Sequence, residues 1–120
     1  MSFWTSDNIE LTGFNREKSV FDEHTNSFTK LVFNLSYAAS DEWVDFFDVQ
    51  TTLDGFDKLD FNALEVSTAG YTSVHLNGLQ NYILELKEIF NTTNEYFNKK
   101  KKTEHNKKLE VENVINNLKF

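Results

Sequence analysis

Histidine and carboxylate side chains are the residues of this chain that could carry acid–base or metal chemistry. His24 directly follows Asp22 and Glu23, and carboxylate–histidine clusters occur in both metal and acid–base sites. Three consecutive residues on a turn diverge in space, however, and His75 and His105 lie in separate segments. The ligand spacings of zinc proteases, EF-hands and Cys/His zinc sites are also missing. We therefore expect exposed or locally hydrogen-bonded histidines, with no metal and no cofactor.

Nucleophilic catalysis has no better support. The chain has no cysteine, no Gly-x-Ser-x-Gly sequence and only four glycines, so it lacks a thiolate nucleophile and a phosphate-binding loop. A hydrolase with paired carboxylates would need acids on one surface, and Asp41, Asp45 and Asp48 would share one helical face. A row of solvated acids is the commoner meaning of that spacing. We expect no enzymatic activity and assign no catalytic residue.

Residues 41–60 carry seven carboxylates against one basic side chain, Lys58. Such a run is typical of a solubilising surface or of a recognition face for a cationic protein, because spaced carboxylates imitate a nucleic-acid backbone and accelerate encounter. An aromatic side chain among the acids would suit a binding hot spot. The predicted partner-binding residues of this acidic segment are Asp41, Glu42, Asp45, Asp48, Asp54, Phe56, Asp57 and Asp60.

Positive charge is concentrated in the second half of the chain. Residues 67–120 hold eight basic and six acidic side chains and residues 1–66 hold four and thirteen, so their net charges are +2 and −9. The lysine tract at 99–108 has six lysines and Glu104, and such runs can bind phosphate backbones. A solvated helix end would also be rich in lysine, and the acidic half would repel a polyanion. We favour the helix end and expect no direct nucleic-acid contact.

The size and composition of the chain predict one domain, spanning residues 1–120, with a phenylalanine-rich core. At 120 residues a core forms without disulfides, and 39% hydrophobic content with twelve phenylalanines argues against disorder. The first eight residues lack the positive and apolar regions of a signal peptide, and no stretch is long and apolar enough for a membrane span. We therefore expect a cytoplasmic protein that makes no membrane contact.

The apolar periodicity predicts an α+β fold, in which an antiparallel sheet of about four to five strands packs against a long C-terminal helix. Strands are predicted at residues 8–14, 16–24, 28–37, 59–67 and 71–76. The second of these pairs with the first, and the last two form a hairpin that turns at 68–70. Phe3 and Trp4 are expected to pack on the core.

A short acidic helix is predicted between strands, at about residues 41–49. Ser40 precedes it as an N-cap, and acidic residues in its first turn complement the helix dipole. Trp43, Phe46 and Phe47 would point inward and the three aspartates outward.

The long helix is predicted from near Asn77, with Gln80 completing a capping box. Its apolar stripe comprises Leu76, Leu79, Ile83, Leu86, Phe90 and Phe97, widened by Tyr82, Ile89 and Tyr96. The lysine tract offers no apolar contact, so we expect a break there and a final amphipathic helix that carries Leu109, Val111, Val114, Ile115 and Leu118. The alternative is one continuous helix of about 40 residues, because the heptad register persists and neither proline nor glycine interrupts it.

The charge layout favours a non-catalytic inhibitor. We expect an immunity-type or anti-defence-type protein that neutralises a toxin, for example a basic nuclease or nucleic-acid-binding protein. It would bind through the acidic residues of segment 41–60, an analogy that rests on charge and size. The alternative is a structural or assembly subunit of a phage or accessory complex that oligomerises through its long helix. The chain itself would be a monomer or a homodimer.

Overall fold

The computed structural model describes residues 8–119, so the expectation for Phe3 and Trp4 lies outside the described residues. The described elements are β1 (Leu11–Phe14), β2 (Val20–Asp22), β3 (Ser27–Lys30), β4 (Val32–Leu35), α1 (Asp41–Asp54), β5 (Leu59–Asn62), β6 (Glu65–Thr68), β7 (Val74–His75), a 3₁₀ turn (Leu76–Gly78) and α2 (Leu79–Asn116). They form an α+β fold, as the apolar periodicity predicted.

The strands form two antiparallel sheets. One has the order β1-β4-β6-β5 and the other β2-β3-β7. The division falls at Leu31, which is fully buried. Its N–H donates to Thr68 Oγ1 at 3.2 Å, and its carbonyl accepts from the Thr68 N–H at 3.0 Å. The single strand predicted at 28–37 is therefore two strands, one in each sheet.

The segment after β1 does not pair with β1, contrary to the prediction for residues 16–24. The carbonyl of Asn15 accepts bonds from both the N–H and the hydroxyl of Ser19, which turns the chain back. β2 then pairs with β3, where Phe21 packs on Phe28 with ring centroids 4.9 Å apart. Apolar packing on Phe28 therefore places β2 in the smaller sheet.

The hairpin predicted between residues 59–67 and 71–76, with a turn at 68–70, is wrong, because segment 59–67 is itself most of a hairpin. β5 pairs with β6 through Asn62 opposite Glu65, so the loop is Ala63 and Leu64, and Ala63 has a positive φ of 52°. Gly70 instead lies where the chain crosses to the other sheet, in which β7 pairs with β3. The prediction placed all strands in one antiparallel sheet, so it did not foresee that the chain changes sheet here.

The core lies between the four-stranded sheet and the two helices, and it is rich in aromatic side chains as expected. Phe47 is fully buried, with its ring 5.5 Å from Trp43, 5.2 Å from Phe90 of α2 and 5.0 Å from Phe61 of β5. One aromatic cluster therefore joins α1, α2 and the sheet.

Asn94 is a buried polar residue at the centre of this packing. Its Oδ1 accepts from Trp43 Nε1 at 2.9 Å and from the Ile9 N–H at 3.1 Å, and its Nδ2 donates to the Ile9 carbonyl at 2.9 Å. Three hydrogen bonds thus connect α2 to α1 and to the residues before β1. Buried polar networks of this kind fix the relative positions of their elements when every group is satisfied.

α1 begins where it was predicted and ends later. The Trp43 N–H donates to Ser40 Oγ at 3.2 Å, which confirms the N-cap. The helix continues to Asp54 because its first left-handed residue is Gly55, with φ of 66°.

α2 is one helix of 38 residues, so the predicted break at the lysine tract is wrong and the continuous alternative is right. Within the tract, Lys100 and Lys101 form ion pairs with Glu42 of α1 and with Glu104 of α2, and their ammonium groups lie over the rings of Phe46 and Phe97. The predicted Asn77 cap is also wrong. His75 Nδ1 accepts from the Asn77 N–H at 3.1 Å, which caps the 3₁₀ turn that leads into α2.

Candidate protein-interaction surfaces

The outer side of α1 presents three carboxylates at steps of four and three residues, opposite the buried Trp43 and Phe47. Two apolar side chains continue the same side toward the helix end and are 59% and 74% exposed. No basic residue occurs in α1, so none offsets this charge from within the helix. We call this surface the acidic face; it comprises Asp41, Asp45, Asp48, Val49 and Leu53.

Glu42, one of the predicted partner-binding residues, instead joins α1 to α2. Its carboxylate lies 2.7 Å from Lys101 Nζ and 3.5 Å from Lys100 Nζ. The hydrogen bond from Lys101 lowers the pKa of Glu42 below its ordinary value. The two ammonium groups also lie over Phe97 and Phe46, at 5.5 Å and 5.3 Å from the ring centroids. Glu42 therefore forms part of an intramolecular contact between the helices.

Three further predicted residues lie at the end of α1 and in the loop that follows. Asp54 accepts from Gln50 Nε2 at 3.2 Å, and Asp57 accepts from Thr72 Oγ1 at 2.9 Å. The Phe56 ring packs on Tyr82 with centroids 4.9 Å apart. These residues form a second acidic area beside the start of α2, separate from the acidic face.

A groove at this second area is lined by Phe56, Asp57, Tyr71, Tyr82 and Glu85 among others. The Tyr82 hydroxyl is buried and makes no hydrogen bond within residues 8–119. Burial raises the pKa of this hydroxyl well above its usual range, and the negative charges of Asp57 and Glu85 raise it further. Tyr82 is therefore neutral at physiological pH.

Asp60 belongs to neither area. Its neighbours Leu59 and Phe61 point into the core, and side chains alternate along a strand, so Asp60 lies on the sheet face opposite the helices. The predicted acidic residues are thus distributed over the outer side of α1, its flank toward α2, the following loop and the far face of the sheet. Of the eight predicted partner-binding residues, only Asp41, Asp45 and Asp48 lie together in one exposed row.

The end of α2 extends beyond the rest of the domain. Every residue from 106 to 118 is exposed, and the molecule measures 78 × 26 × 20 Å. Its radius of gyration is 19.0 Å, against about 14 Å for a compact domain of this length. We call residues 106–118 the overhang.

The overhang is amphipathic. One side of the helix carries, in chain order, Lys107, Lys108, Val111, Val114 and Ile115, and Leu118 follows just after the helix ends at Asn116. The four apolar members of this row are between 45% and 59% exposed. Leu109 lies on the opposite side of the helix. At the edge of this row Lys107 Nζ lies 3.5 Å from Glu110 Oε2, an exposed ion pair within the helix. The lysine and apolar side chains of the row are open to solvent.

The histidines have local roles or separate locations. His75 caps the 3₁₀ turn, and the Asp22 carboxylate accepts from the backbone N–H of His24. Within the described part of the chain, no three histidine or carboxylate side chains are grouped so that they could hold a metal ion. In residues 8–119, every helix is too short or too polar to cross a bilayer.

No known family, curated protein or solved structure matches this chain. The surfaces described above therefore carry the functional argument.

The sequence analysis identified the aspartates of the acidic face but overlooked its exposed apolar residues, Val49 and Leu53. The signal was present: all five residues recur at helical spacing from Asp41 onward. It also missed Asn94, since a single asparagine in an apolar stripe gives no sign of its distant partners.

Proposed function

We propose that this chain is a non-catalytic assembly subunit that associates through the overhang of α2. The observation that carries this proposal is the exposed apolar row of Val111, Val114 and Ile115 on the part of α2 that extends beyond the rest of the domain. An isolated helical segment of this length is marginal in water, and its stability comes from covering its apolar side. A partner surface on that side would bury these residues and hold the segment helical.

The spacing of the stripe supports an interface. Its residues recur every three to four positions, the pattern that gives one helix face a continuous apolar contact. Leu109 is not part of this stripe, because it lies on the opposite side of the helix. The overhang is therefore one-sided, as a helix that contacts one partner should be.

Sedimentation analysis of the full chain tests the proposal. We expect association in the micromolar range, and we expect the double substitution Val114→Lys with Ile115→Lys to give a monomer while leaving the thermal midpoint nearly unchanged. Leu109→Lys is the matched control, since it adds a lysine in place of a comparably exposed apolar residue on the other side. A wild-type chain that stays monomeric throughout this range would overturn the proposal.

The second candidate is an inhibitor that binds a basic protein through the acidic face. The supporting observation is the row of three aspartates with no lysine or arginine in α1. Rows of this kind steer cationic partners at rates that fall as salt is raised.

A purified basic protein encoded beside this chain in its native genome is the partner to try. We expect Asp45→Lys with Asp48→Lys to abolish binding and Asp60→Lys, on the far face of the sheet, to preserve it. Association that ignores both salt and the reversed aspartates would exclude this candidate.

A further inference from the structure

The overhang and the acidic face are complementary in charge and in the order of their residues. Along the chain, the acidic face has carboxylates first and apolar side chains last. The overhang stripe has Lys107 and Lys108 first and apolar side chains last, with Glu110 beside Lys107 at its edge. Each spans about 12 residues, or about 18 Å of helix. A parallel alignment of the two therefore sets lysines against aspartates and apolar residues against apolar residues. An antiparallel alignment would set the lysines against Val49 and Leu53.

We infer that the overhang of each copy lies on the acidic face of a second copy, in a reciprocal two-fold dimer. This inference rests on the proposed function and names the surface that the overhang binds. It commits to a second copy of this chain because both halves of the complementary pair are on the chain itself.

The direction of the helices fits a two-fold axis. Within one copy α1 and α2 are antiparallel, because Glu42 near the start of α1 contacts Lys101, and Phe56 just after α1 contacts Tyr82 near the start of α2. A two-fold axis perpendicular to α2 makes the α2 helices of the two copies antiparallel. The α2 of the second copy is then parallel to α1 of the first, which is the alignment that the charges require.

The overhang also faces the correct side. Phe97 and Lys100 both contact Phe46 of α1. Ile115 comes eighteen residues after Phe97, about five helical turns, and so lies on the same side of α2. A helix that packs on the overhang stripe would thus extend the row in which α1 already packs. The α1 helix of a second copy fits that place and presents an unpaired acidic and apolar surface to it.

A reciprocal dimer has a larger interface than a single contact between two short helices. Stable interfaces bury about 1,200–2,000 Å² in total, more than one short helix contact supplies. In a two-fold dimer each overhang docks on the other copy, so the contact is made twice. The symmetry also closes the assembly, whereas a one-way contact would propagate into filaments.

Charge reversal and mixing test the inference. We expect Asp45→Lys with Asp48→Lys to weaken self-association at least about tenfold, and Lys107→Glu with Lys108→Glu to do the same, because each variant alone faces like charge at both contacts. An equimolar mixture of the two variants should form a dimer of nearly wild-type affinity, since both contacts are again between opposite charges. Variants that had failed to fold could not rescue each other in this way.

Lys99→Glu with Lys102→Glu is the matched control, because these lysines lie on the opposite side of α2 from the stripe and the pair reverses the same number of charges. A chain that associates through the overhang but is insensitive to the reversed aspartates would overturn this inference and leave the proposed function standing. Assemblies that grow beyond a dimer would overturn the two-fold arrangement. A monomeric wild-type chain would overturn both proposals.

Discussion

The two halves of α2 have the same periodicity and opposite surroundings. In the first half Leu86, Ile89 and Phe90 are at most 4% exposed against the sheet and α1. In the overhang, the corresponding side chains are about half exposed. An apolar stripe thus indicates that one side of a helix is covered by another surface, but it does not identify that surface. The same chain covers the first half, and we propose that another copy covers the second.

Hydrogen exchange gives the largest expected difference between the halves. Amides near Leu86 to Phe97 should exchange only by global unfolding, which for a domain costs about 5–15 kcal/mol, whereas amides of the overhang in a dilute monomer should exchange with little protection. Raising the concentration into the range of association should slow exchange in the overhang. Equal protection of both halves in the monomer would contradict the comparison.

Truncation of one apolar side chain in each half of α2 should change the free energy of unfolding by different amounts. Leu86→Ala should lower the free energy of unfolding by about 3 kcal/mol because it leaves a cavity in the core. Ile115→Ala should change it by no more than about 0.5 kcal/mol, since this side chain already contacts solvent. Urea denaturation at a concentration where the chain is monomeric measures both. Similar losses would show that the overhang packs within its own copy.

Asn94 is a buried polar residue in the first half of α2, among apolar neighbours. Asn94→Ala should lower the free energy of unfolding by about 2 kcal/mol, because Trp43 Nε1 and the backbone of Ile9 lose their hydrogen-bond partner while buried. Asn91→Ala, at an exposed position on the same helix, is the control and should have little effect. If both variants unfolded at the same denaturant concentration, the proposed role of Asn94 would be refuted.

The smallest effect is expected at the boundary between the halves, where Glu42 meets Lys101. The hydrogen bond from Lys101 holds the pKa of Glu42 below 4.5, so any stability from this contact is present above pH 4.5 and is lost as the pH falls through the lowered pKa. NMR titration of the Glu42 carboxyl should show this value rising toward 4.5 in Lys101→Met. Lys102→Met, one position along the helix, should leave it unchanged.

Several local features could be predicted because they depend on neighbouring residues. The Ser40 cap and the inward Trp43 and Phe47 depend on one helical turn. The end of α1 was predicted too early, because the left-handed Gly55 that follows Asp54 was not used as its marker. The split at Leu31 could not be predicted, because the hydrogen-bond partner that causes it, Thr68, is 37 residues away. The continuous α2 was likewise predicted wrongly, since Glu42, which pairs with Lys100 and Lys101 of the lysine tract, belongs to another helix.

By itself, the sequence determined the α+β class, the aromatic core, the presence of a short acidic helix and a long C-terminal helix, and the order of charges along the chain. These follow from periodicity and composition, which act over a few residues. Only the tertiary structure decided which acids share a surface, which lysines are paired, and that the last turns of α2 extend beyond the domain. Those outcomes depend on contacts between residues far apart in the chain, and such contacts exist only once the sheets and helices have packed.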